Sequence, residues 1–213
     1  MNGRGFLAIW SDIDAVAETD YLHWMTREHA IERVSIPGFL GMRMFRALQG
    51  DVQRYFVLYE LETPDVVGGA AYLARLNSPT PWSQRIMPRL QNFIRGGGSV
   101  AAASGAGLGG FVTAQAFEDI AAPDGTALVT ALAQEERIST VRLLATDHAQ
   151  TAIQTREKGM RMRDGSFNGL LLIEGVDEVA VKTAAGKLAT RMPQRNAPAP
   201  IYTTVFALDR HQL

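Results

Sequence analysis

The sequence predicts an α+β protein built from two tandem ferredoxin-like βαββαβ units. Three observations support this prediction. Strand and helix patterns follow the order β-α-β-β-α-β, the same order begins again after residue 110, and each half has about 100 residues. Each sheet would leave a face or an edge uncovered, so we expect the two halves to pack together as a pseudo-dimer within one chain.

Each element of the first half has its own signal. Apolar alternation rich in aromatic and β-branched residues predicts the strands, and Pro37-Gly38 ends the first helix. Thr63, Pro64 and Asp65 open the second helix, where an early proline is tolerated. The predicted elements are a strand over 5–11, a helix over 15–34, strands over 39–48 and 55–61, a helix over 63–76 and a strand over 91–104.

The second half repeats the order without repeating the sequence. Its predicted elements are a strand over 110–117, a helix over 124–137, strands over 139–145 and 167–173, a helix over 177–192 and a strand over 201–208. The Gly/Ala-rich segment 99–110 is predicted to link a unit over 1–98 to a unit over 111–213. It contains a G-x-G-x-x-G pattern, but a strand follows where a dinucleotide site needs a helix.

Composition excludes several classes of protein. The chain has no cysteine, so disulfides, thiolate metal sites and cysteine nucleophiles are absent. A net charge of -1 argues against general nucleic-acid or membrane-surface binding. The first apolar run is too short for a secretory signal, and no stretch reaches the ~20 apolar residues of a membrane span. We therefore expect a soluble, cytoplasmic protein with no nucleic-acid or membrane partner.

The first predicted helix has the densest group of reactive side chains. One helical stripe contains Leu22, Met25, His29, Arg33 and Ile36. His29 could act as a general acid or base, oriented by Glu28 or Glu32, and Arg33 could hold an anionic substrate group. These four residues are the predicted catalytic set. The alternative is a histidine that only packs in the core, beside ordinary surface ion pairs.

This region also resembles a known family. The segment Tyr21–Ala30, YLHWMTREHA, followed by Ile36-Pro37-Gly38-Phe39, is similar to the signature of the EthD-like branch of the dimeric α/β-barrel superfamily. In that branch a strand leads to a helix with an aromatic-Trp pair and a histidine, and Pro-Gly precedes the next strand. The similarity covers the first ~100 residues in element order, and the second half only in architecture.

The resemblance implies a fold and a kind of activity. Ferredoxin-like sheets of this family pair into a barrel and hold a ligand between a sheet and its helices. Several relatives act on aromatic or polyketide-like molecules as isomerases, cyclases, decarboxylating lyases or monooxygenases that need no cofactor. The histidine that the pattern places on the first helix is His29 here.

Aromatic residues are candidates for the walls of a substrate site. On the strand over 55–61, either Tyr59 or Glu60 should point toward the helices, because successive side chains alternate between faces. The loop-like segment NSPTPW could close over a cleft. Core packing is the alternative for all of them. The predicted substrate-binding residues are Trp10, Trp24, Met25, Tyr59, Tyr72 and Trp82.

Metal binding is not expected. His23 lies six residues before His29, on a different helical face, and His29 with Glu32 forms only one i, i+3 pair. A basic run over 156–163 precedes the turn signal Asp164-Gly165. We interpret this run as a solvated hairpin end, with the alternative that it holds an anion above the pocket.

The two halves differ in their polar side chains. Residues 123–137 take the place of the first helix but contain no His, Trp or Tyr, so we expect the second half to be structural. The sequence thus predicts a cofactor-independent lyase, isomerase or cyclase for an aromatic or oxygenated small molecule, as in aromatic-compound catabolism. The alternatives are a cofactor-free monooxygenase and a non-catalytic binding or assembly module. A homodimer of the whole chain is also compatible with the sequence.

Overall fold

Eight antiparallel strands close into a barrel in the computed structural model, which describes residues 3–50, 53–117, 125–161, 164–191 and 199–213. The strands are β1 (Gly5–Ile13), β2 (Phe39–Ala47), β3 (Gln53–Leu61), β4 (Gln91–Gly105), β5 (Phe111–Phe117), β6 (Ile138–Thr146), β7 (Gly169–Gly175) and β8 (Ile201–Asp209). Around the barrel they follow the order β1-β3-β2-β8-β5-β7-β6-β4.

This order confirms the predicted fold class. The sheet of each half reads fourth, first, third and second strand, as β4-β1-β3-β2 and as β8-β5-β7-β6. That is the ferredoxin-like order. The halves join where β2 pairs with β8 and where β4 pairs with β6, and both pairings are antiparallel. The molecule is therefore a dimeric α/β barrel formed within one chain.

Short helices cover the outside of the barrel. They are α1 (Glu18–Trp24), α2 (Ala30–Val34), α3 (Ala70–Leu76), α4 (Pro81–Ile86), α5 (Gly125–Ala133), α6 (His148–Thr151), α7 (Arg156–Gly159) and α8 (Glu178–Arg191). A π-helical turn, Met25–His29, joins α1 to α2. Within the described ranges, no helix has the length and apolar character needed to cross a membrane.

The predicted strand over 91–104 is β4, which includes residues 99–105 of the predicted linker because its backbone pairs with β6 from Gly98 to Gly105. Two other boundaries differ from the sequence prediction. The predicted loop after α3 contains α4, which begins at Pro81 and is capped by the Thr80 side chain. The predicted second helix is a 3₁₀ turn, Pro64–Gly68, followed by α3. The ends of two predicted helices, residues 124 and 192, lie outside the described residues.

The barrel interior forms its own core, separate from the layers under the helices. Aromatic rings fill one part of it, where Trp10 lies 4.8 Å from Phe56 and 5.4 Å from Phe167 between ring centroids. Toward β7 the interior contains a buried ion network. Arg43 donates to both carboxylate oxygens of Glu174, at 2.6 and 2.8 Å.

Arg142 extends this network by donating to Glu174 at 2.6 Å and to Glu60 at 3.0 Å. Burial alone would raise the pKa of Glu174, but hydrogen bonds and positive charge from Arg43 and Arg142 lower it below its ordinary value. Glu60 therefore points into the barrel, and Tyr59 is the residue of that pair that faces the helices. The network ties strands of both halves together.

Candidate functional site

A narrow cavity of about 50 Å³ lies between the sheet of the first half and the helices that cover it. Strands β1, β3 and β4 form its floor, α1 to α3 and the π-helical turn form its walls, and residues from the second half close it. Its apolar lining residues are Ile9, Val57, Val67, Leu73, Leu76, Met87, Leu90, Phe93 and Ile153. The cavity thus combines an apolar body with the polar groups described next.

The π-helical turn places Trp24, Met25 and His29 at this cavity. In an α-helix, residues five apart lie about 140° apart around the axis, whereas a π turn brings them to the same side. The ring of Trp24 consequently lies against the imidazole of His29, at 4.1 Å between centroids. Trp24 Nε1 also donates to Ser83 Oγ at 3.1 Å, which fixes the indole.

A side chain within this turn favours the departure from α-helical geometry. Thr26 Oγ1 donates to the carbonyl oxygen of Leu22 at 2.8 Å. That oxygen is the acceptor that the Thr26 N–H would use in an α-helix, so the hydroxyl competes with the regular ladder. The predicted helix over 15–34 is therefore interrupted where the candidate histidine lies.

His29 is buried and neutral. Its side chain is 5% exposed, and its Nδ1 atom has no hydrogen-bond partner among the described residues. Burial, followed by the positive charges of Arg33 and Arg161, lowers the pKa of His29 well below its ordinary value. The imidazole is thus available near neutral pH as a proton acceptor or as a neutral hydrogen-bonding group.

Arg33 forms a buried ion pair with Glu157 of the second half through its Nη2 atom. The two side chains are 2% and 5% exposed. The other terminal nitrogen, Nη1, is buried and lacks a partner within the described part of the chain. Arg33 is therefore held by one carboxylate and still has a donor group to offer.

Tyr59 supplies a third polar atom of this kind. Its side chain is 1% exposed, and its hydroxyl is buried without a partner in the described structure. Burial raises the pKa of Tyr59, so the phenol stays protonated. The neighbouring ring of Tyr72 lies 6.0 Å from the Arg33 guanidinium and 5.9 Å from that of Arg95. Both distances are within reach of cation–π attraction.

His29, Arg33 and Tyr59 all line the same cavity. Buried polar atoms in folded proteins nearly always have a partner, either protein or ordered water. Three lining residues with unpartnered buried atoms therefore make this cavity the candidate site for a polar ligand. This is the principal feature of the candidate site.

The second half closes the cavity with a connection that we name the cover segment, residues 147–161 between β6 and β7. Gln150 Oε1 accepts from the Gly68 N–H at 3.1 Å, and the Arg156 N–H donates to Asn77 Oδ1 at 3.0 Å. The cover-segment residues that line the cavity are Gln150, Ile153, Thr155, Glu157, Lys158 and Arg161. The expectation of a purely structural second half is thereby corrected.

The cover segment also includes most of the basic run that was interpreted as a solvated hairpin end. Lys158 and Arg161 line the cavity, and the Arg161 guanidinium lies 4.0 Å from the centroid of Phe93. Arg163 lies outside the described residues. The run was misread because its charge pattern resembles that of an exposed turn, while its position over the cavity depends on packing between the halves.

Two predicted catalytic carboxylates lie elsewhere. Glu28 accepts a hydrogen bond from Thr80 Oγ1 at 2.6 Å, and Glu32 accepts one from Arg75 at 2.9 Å, so neither orients His29. Both carboxylates are directed to neighbouring helices. The prediction that Glu28 or Glu32 positions the imidazole is therefore wrong.

Two predicted aromatic walls are also placed elsewhere. Trp10 lies in the barrel interior, because strand alternation on β1 directs Ile9 and Ser11 outward to the cavity. Trp82 belongs to α4, and its Nε1 donates to Asp20 at 2.9 Å away from the cavity lining. The predicted residues Trp24, Met25, Tyr59 and Tyr72 do line the cavity.

Sequence reasoning missed Glu157, Arg95, Tyr21 and Phe93. Glu157 lies 124 positions from Arg33, and no local pattern links the two residues. Tyr21 had a signal, since it lies within the segment that carries the family resemblance. Among the residues that the structure describes, no group of three or more potential metal ligands comes together.

Comparison with known proteins shows the fold. No family model matches the chain, and no curated protein matches it. A protein proposed to be a monooxygenase from Fusobacterium nucleatum subsp. nucleatum is similar in structure, with 12% identity, 98% of this chain and 96% of that chain covered, and a TM-score of 0.58. An anthrone oxidase-like protein has 11% identity, 98% and 94% coverage, and a TM-score of 0.57.

A mutant chlorite dismutase from Candidatus Nitrospira defluvii is similar as well, with 11% identity, 97% and 93% coverage, and a TM-score of 0.52. All three are dimeric α/β barrel proteins. At such low identity the similarity establishes only the architecture, and the chemistry has to be inferred from the residues of the candidate site. The fold and the cavity together define a dimeric α/β barrel whose described residues form a helix-covered cavity, with apolar walls and a few polar groups, on the sheet of the first half.

Proposed function

We propose that this protein is a small-molecule enzyme that transfers a proton at carbon, as a lyase, isomerase or cyclase of an aromatic or oxygenated compound. The observation that carries the proposal is that His29, Arg33 and Tyr59, each with a buried atom that lacks a described partner, line one apolar-walled cavity. A binding pocket that is mostly apolar with a few convergent polar groups is the usual form of a small-molecule site.

The three groups have complementary roles in this proposal. Neutral His29 accepts the proton from an acidic C–H of the substrate, because a group that is unprotonated at working pH can act as a general base. The electron pair left on carbon delocalises onto an adjacent carbonyl oxygen. The Tyr59 hydroxyl donates to that oxygen as its charge develops, and Arg33 holds an anionic group of the substrate. The ring of Trp24 limits rotation of the imidazole.

The family resemblance supports this assignment at a finer level. The segment Tyr21–Ala30 that is similar to the EthD-like signature forms α1 and the π-helical turn of the site. Tyr21, Trp24 and His29 of that signature all line the cavity. We therefore propose that the chain is a member of the EthD-like branch of the dimeric α/β-barrel superfamily.

Cofactor-free monooxygenation is a second candidate, favoured by the neighbours proposed to be monooxygenases and by the anthrone oxidase-like neighbour. It begins with the same proton abstraction. The carbanion then adds to dioxygen, and the resulting peroxide loses water to leave a carbonyl. Overall, a CH₂ group and O₂ yield C=O and H₂O. The site differs from that of the first candidate only in the need to admit dioxygen.

An exchange experiment tests the proposal. Aromatic ketones, phenols and lactones are incubated with the protein in D₂O, and loss of acidic C–H signals is followed by NMR, with oxygen consumption measured in parallel. We expect His29→Gln to slow the exchange about 100- to 10,000-fold. His23→Gln, on the same helix but outside the cavity lining, serves as the control and should leave the rate unchanged.

The outcomes separate the candidates. Exchange without oxygen consumption supports the lyase or isomerase class, and exchange with stoichiometric oxygen consumption supports the monooxygenase. Ligand binding with no exchange in the wild type points to a non-catalytic module. Exchange that persists in His29→Gln would refute the role of the histidine.

A further inference from the structure

We propose that the substrate carries a carboxylate, and that Glu157 occupies the place of this carboxylate on Arg33 when no substrate is bound. This inference rests on the proposed function, because it concerns the ligand of the same cavity. Its physical basis is the state of the Arg33–Glu157 pair and the charges around it.

The cavity has an excess of positive charge. Among the lining residues that the structure describes, the cations are Arg33, Arg95, Lys158 and Arg161, and Glu157 is the single carboxylate. Asp164 pairs with Arg161 from outside the lining, at 2.7 Å. Arg95 donates to the Thr151 carbonyl oxygen at 3.2 Å and to the Tyr72 hydroxyl at 3.4 Å, and both acceptors are uncharged. A cavity with this balance attracts an anion.

Glu157 binds only one of the two terminal nitrogens of the Arg33 guanidinium. Nη2 meets one carboxylate oxygen, whereas Nη1 is buried at the cavity without a described partner. A guanidinium binds a carboxylate best through two parallel N–H···O bonds. A ligand carboxylate that reaches both nitrogens would therefore bind Arg33 more completely than Glu157 does.

Replacement of Glu157 by a ligand carboxylate keeps the buried charge of Arg33 compensated. Arg33 is 2% exposed, so losing Glu157, its ion-pair partner among the described residues, would leave a buried, uncompensated charge. If a ligand carboxylate replaces Glu157, Arg33 stays paired throughout. Glu157 lies on α7, a helix of four residues in which Arg156 and Gly159 are exposed, so its carboxylate can regain hydration as it leaves.

The size of the cavity favours such a movement. An engineered cavity that binds benzene measures about 150 Å³, whereas this cavity measures about 50 Å³. Withdrawal of the Glu157 side chain opens space next to Arg33 in the apolar-walled cavity. The cover segment thus both fills the site and controls access to it.

The test measures binding of benzoate and 2-naphthoate, with benzamide and 2-naphthamide as uncharged counterparts, by titration calorimetry. Glu157→Gln keeps the side-chain size but removes the internal competitor. We expect it to bind at least one carboxylate about tenfold or more tightly than the wild type, because an occupied site lowers apparent affinity. Arg33→Lys, which lacks the planar fork, should lose most of that binding.

A matched control and a second measurement complete the design. Glu135→Gln removes a carboxylate that pairs with Lys187 away from the cavity, and it should leave carboxylate binding unchanged. In the wild type, hydrogen exchange of the amides over 155–161 should speed up when the carboxylate is added. This readout requires no variant to fold.

The proposal is overturned if Glu157→Gln binds neither carboxylate more tightly than the wild type, if the amides bind equally well, or if exchange over 155–161 slows or stays constant. His29→Gln separates the two proposals. Carboxylate binding that persists in His29→Gln, with no proton transfer in the wild type, would refute only the enzymatic function. His29-dependent transfer on neutral compounds without any carboxylate preference would refute only this inference.

Discussion

The two helix-covered faces of the barrel have the same construction and different contents. In the second half, the layer under α5 and α8 is an apolar cluster of Phe117, Val129, Leu132, Val141, Leu143, Leu171, Ile173 and Ala184. In the first half, the corresponding layer contains His29, Arg33 and Tyr59 among its apolar residues. The same layer can therefore form an apolar core or contain a cavity with polar groups, and a few side chains decide which.

The connections between strands also differ between the two halves. The first half joins β2 to β3 through residues 48–52, whereas the second half joins β6 to β7 through residues 147–168, which include α6 and α7. The longer connection supplies the cover segment of the first-half cavity. The asymmetry thus has two parts: one half contributes the polar floor and walls, and the other contributes the cover with its carboxylate.

The largest effect on stability should come from breaking the pair that joins these parts. Glu157→Leu leaves Arg33 buried without its counter-ion, and we expect a loss of about 3–5 kcal/mol in the free energy of unfolding. The double variant Arg33→Leu/Glu157→Leu removes both charges and should recover most of that loss. Urea denaturation measures both. A double variant as unstable as the single one would contradict the ion-pair explanation.

Truncation in the second-half core should cost stability without touching the site. Leu171→Ala removes a fully buried side chain and should lower the free energy of unfolding by about 2–5 kcal/mol. Carboxylate affinity, measured by calorimetry at a temperature where the variant is folded, should not change. A parallel loss of affinity would show that the two faces are coupled more strongly than their separate cores suggest.

The burial of His29 should make the free energy of unfolding decrease as the pH is lowered. The folded state keeps the pKa of His29 well below its ordinary value, while the unfolded chain binds a proton near pH 6.5. Below about pH 6.5 the unfolded state therefore binds more protons, and stability falls as the pH falls, by up to about 1.4 kcal/mol per pH unit until the folded-state pKa is reached. When the free energy of unfolding is measured by urea denaturation between pH 7 and 5, its decrease per pH unit should be smaller for His29→Gln than for the wild type. Equal slopes would contradict this assignment.

The smallest effect concerns an orphaned hydroxyl. Tyr59→Phe removes a buried O–H that has no described partner, so we expect stability to rise by up to about 1 kcal/mol while activity falls. Tyr55→Phe on the same strand is the control, because the Tyr55 hydroxyl donates to Glu18 and its removal should cost about 1 kcal/mol. Thermal unfolding of the two variants measures the difference between their effects on stability. A loss at Tyr59 equal to that at Tyr55 would mean that its hydroxyl is satisfied in the folded protein.

Local patterns were sufficient for the fold and for the location of the site. Strand alternation, Pro37-Gly38 and the repeated element order predicted the barrel, since these signals act within a few residues along the chain. His29 was found because it lies on an apolar helical stripe. Glu28 and Glu32 were misassigned for the same reason: sequence spacing indicates which residues share a helical face, but it does not show which neighbouring element each side chain meets.

The sequence by itself determined that the chain forms two ferredoxin-like halves, and it predicted the helix near His29 as the candidate place of chemistry. Only the tertiary structure decided that Trp10 faces the barrel interior, that the cover segment closes the cavity, and that Glu157 pairs with Arg33. The physical reason is the range of the interactions. Periodicity and turn chemistry are local, whereas an ion pair between residues 33 and 157 exists only after the barrel has closed.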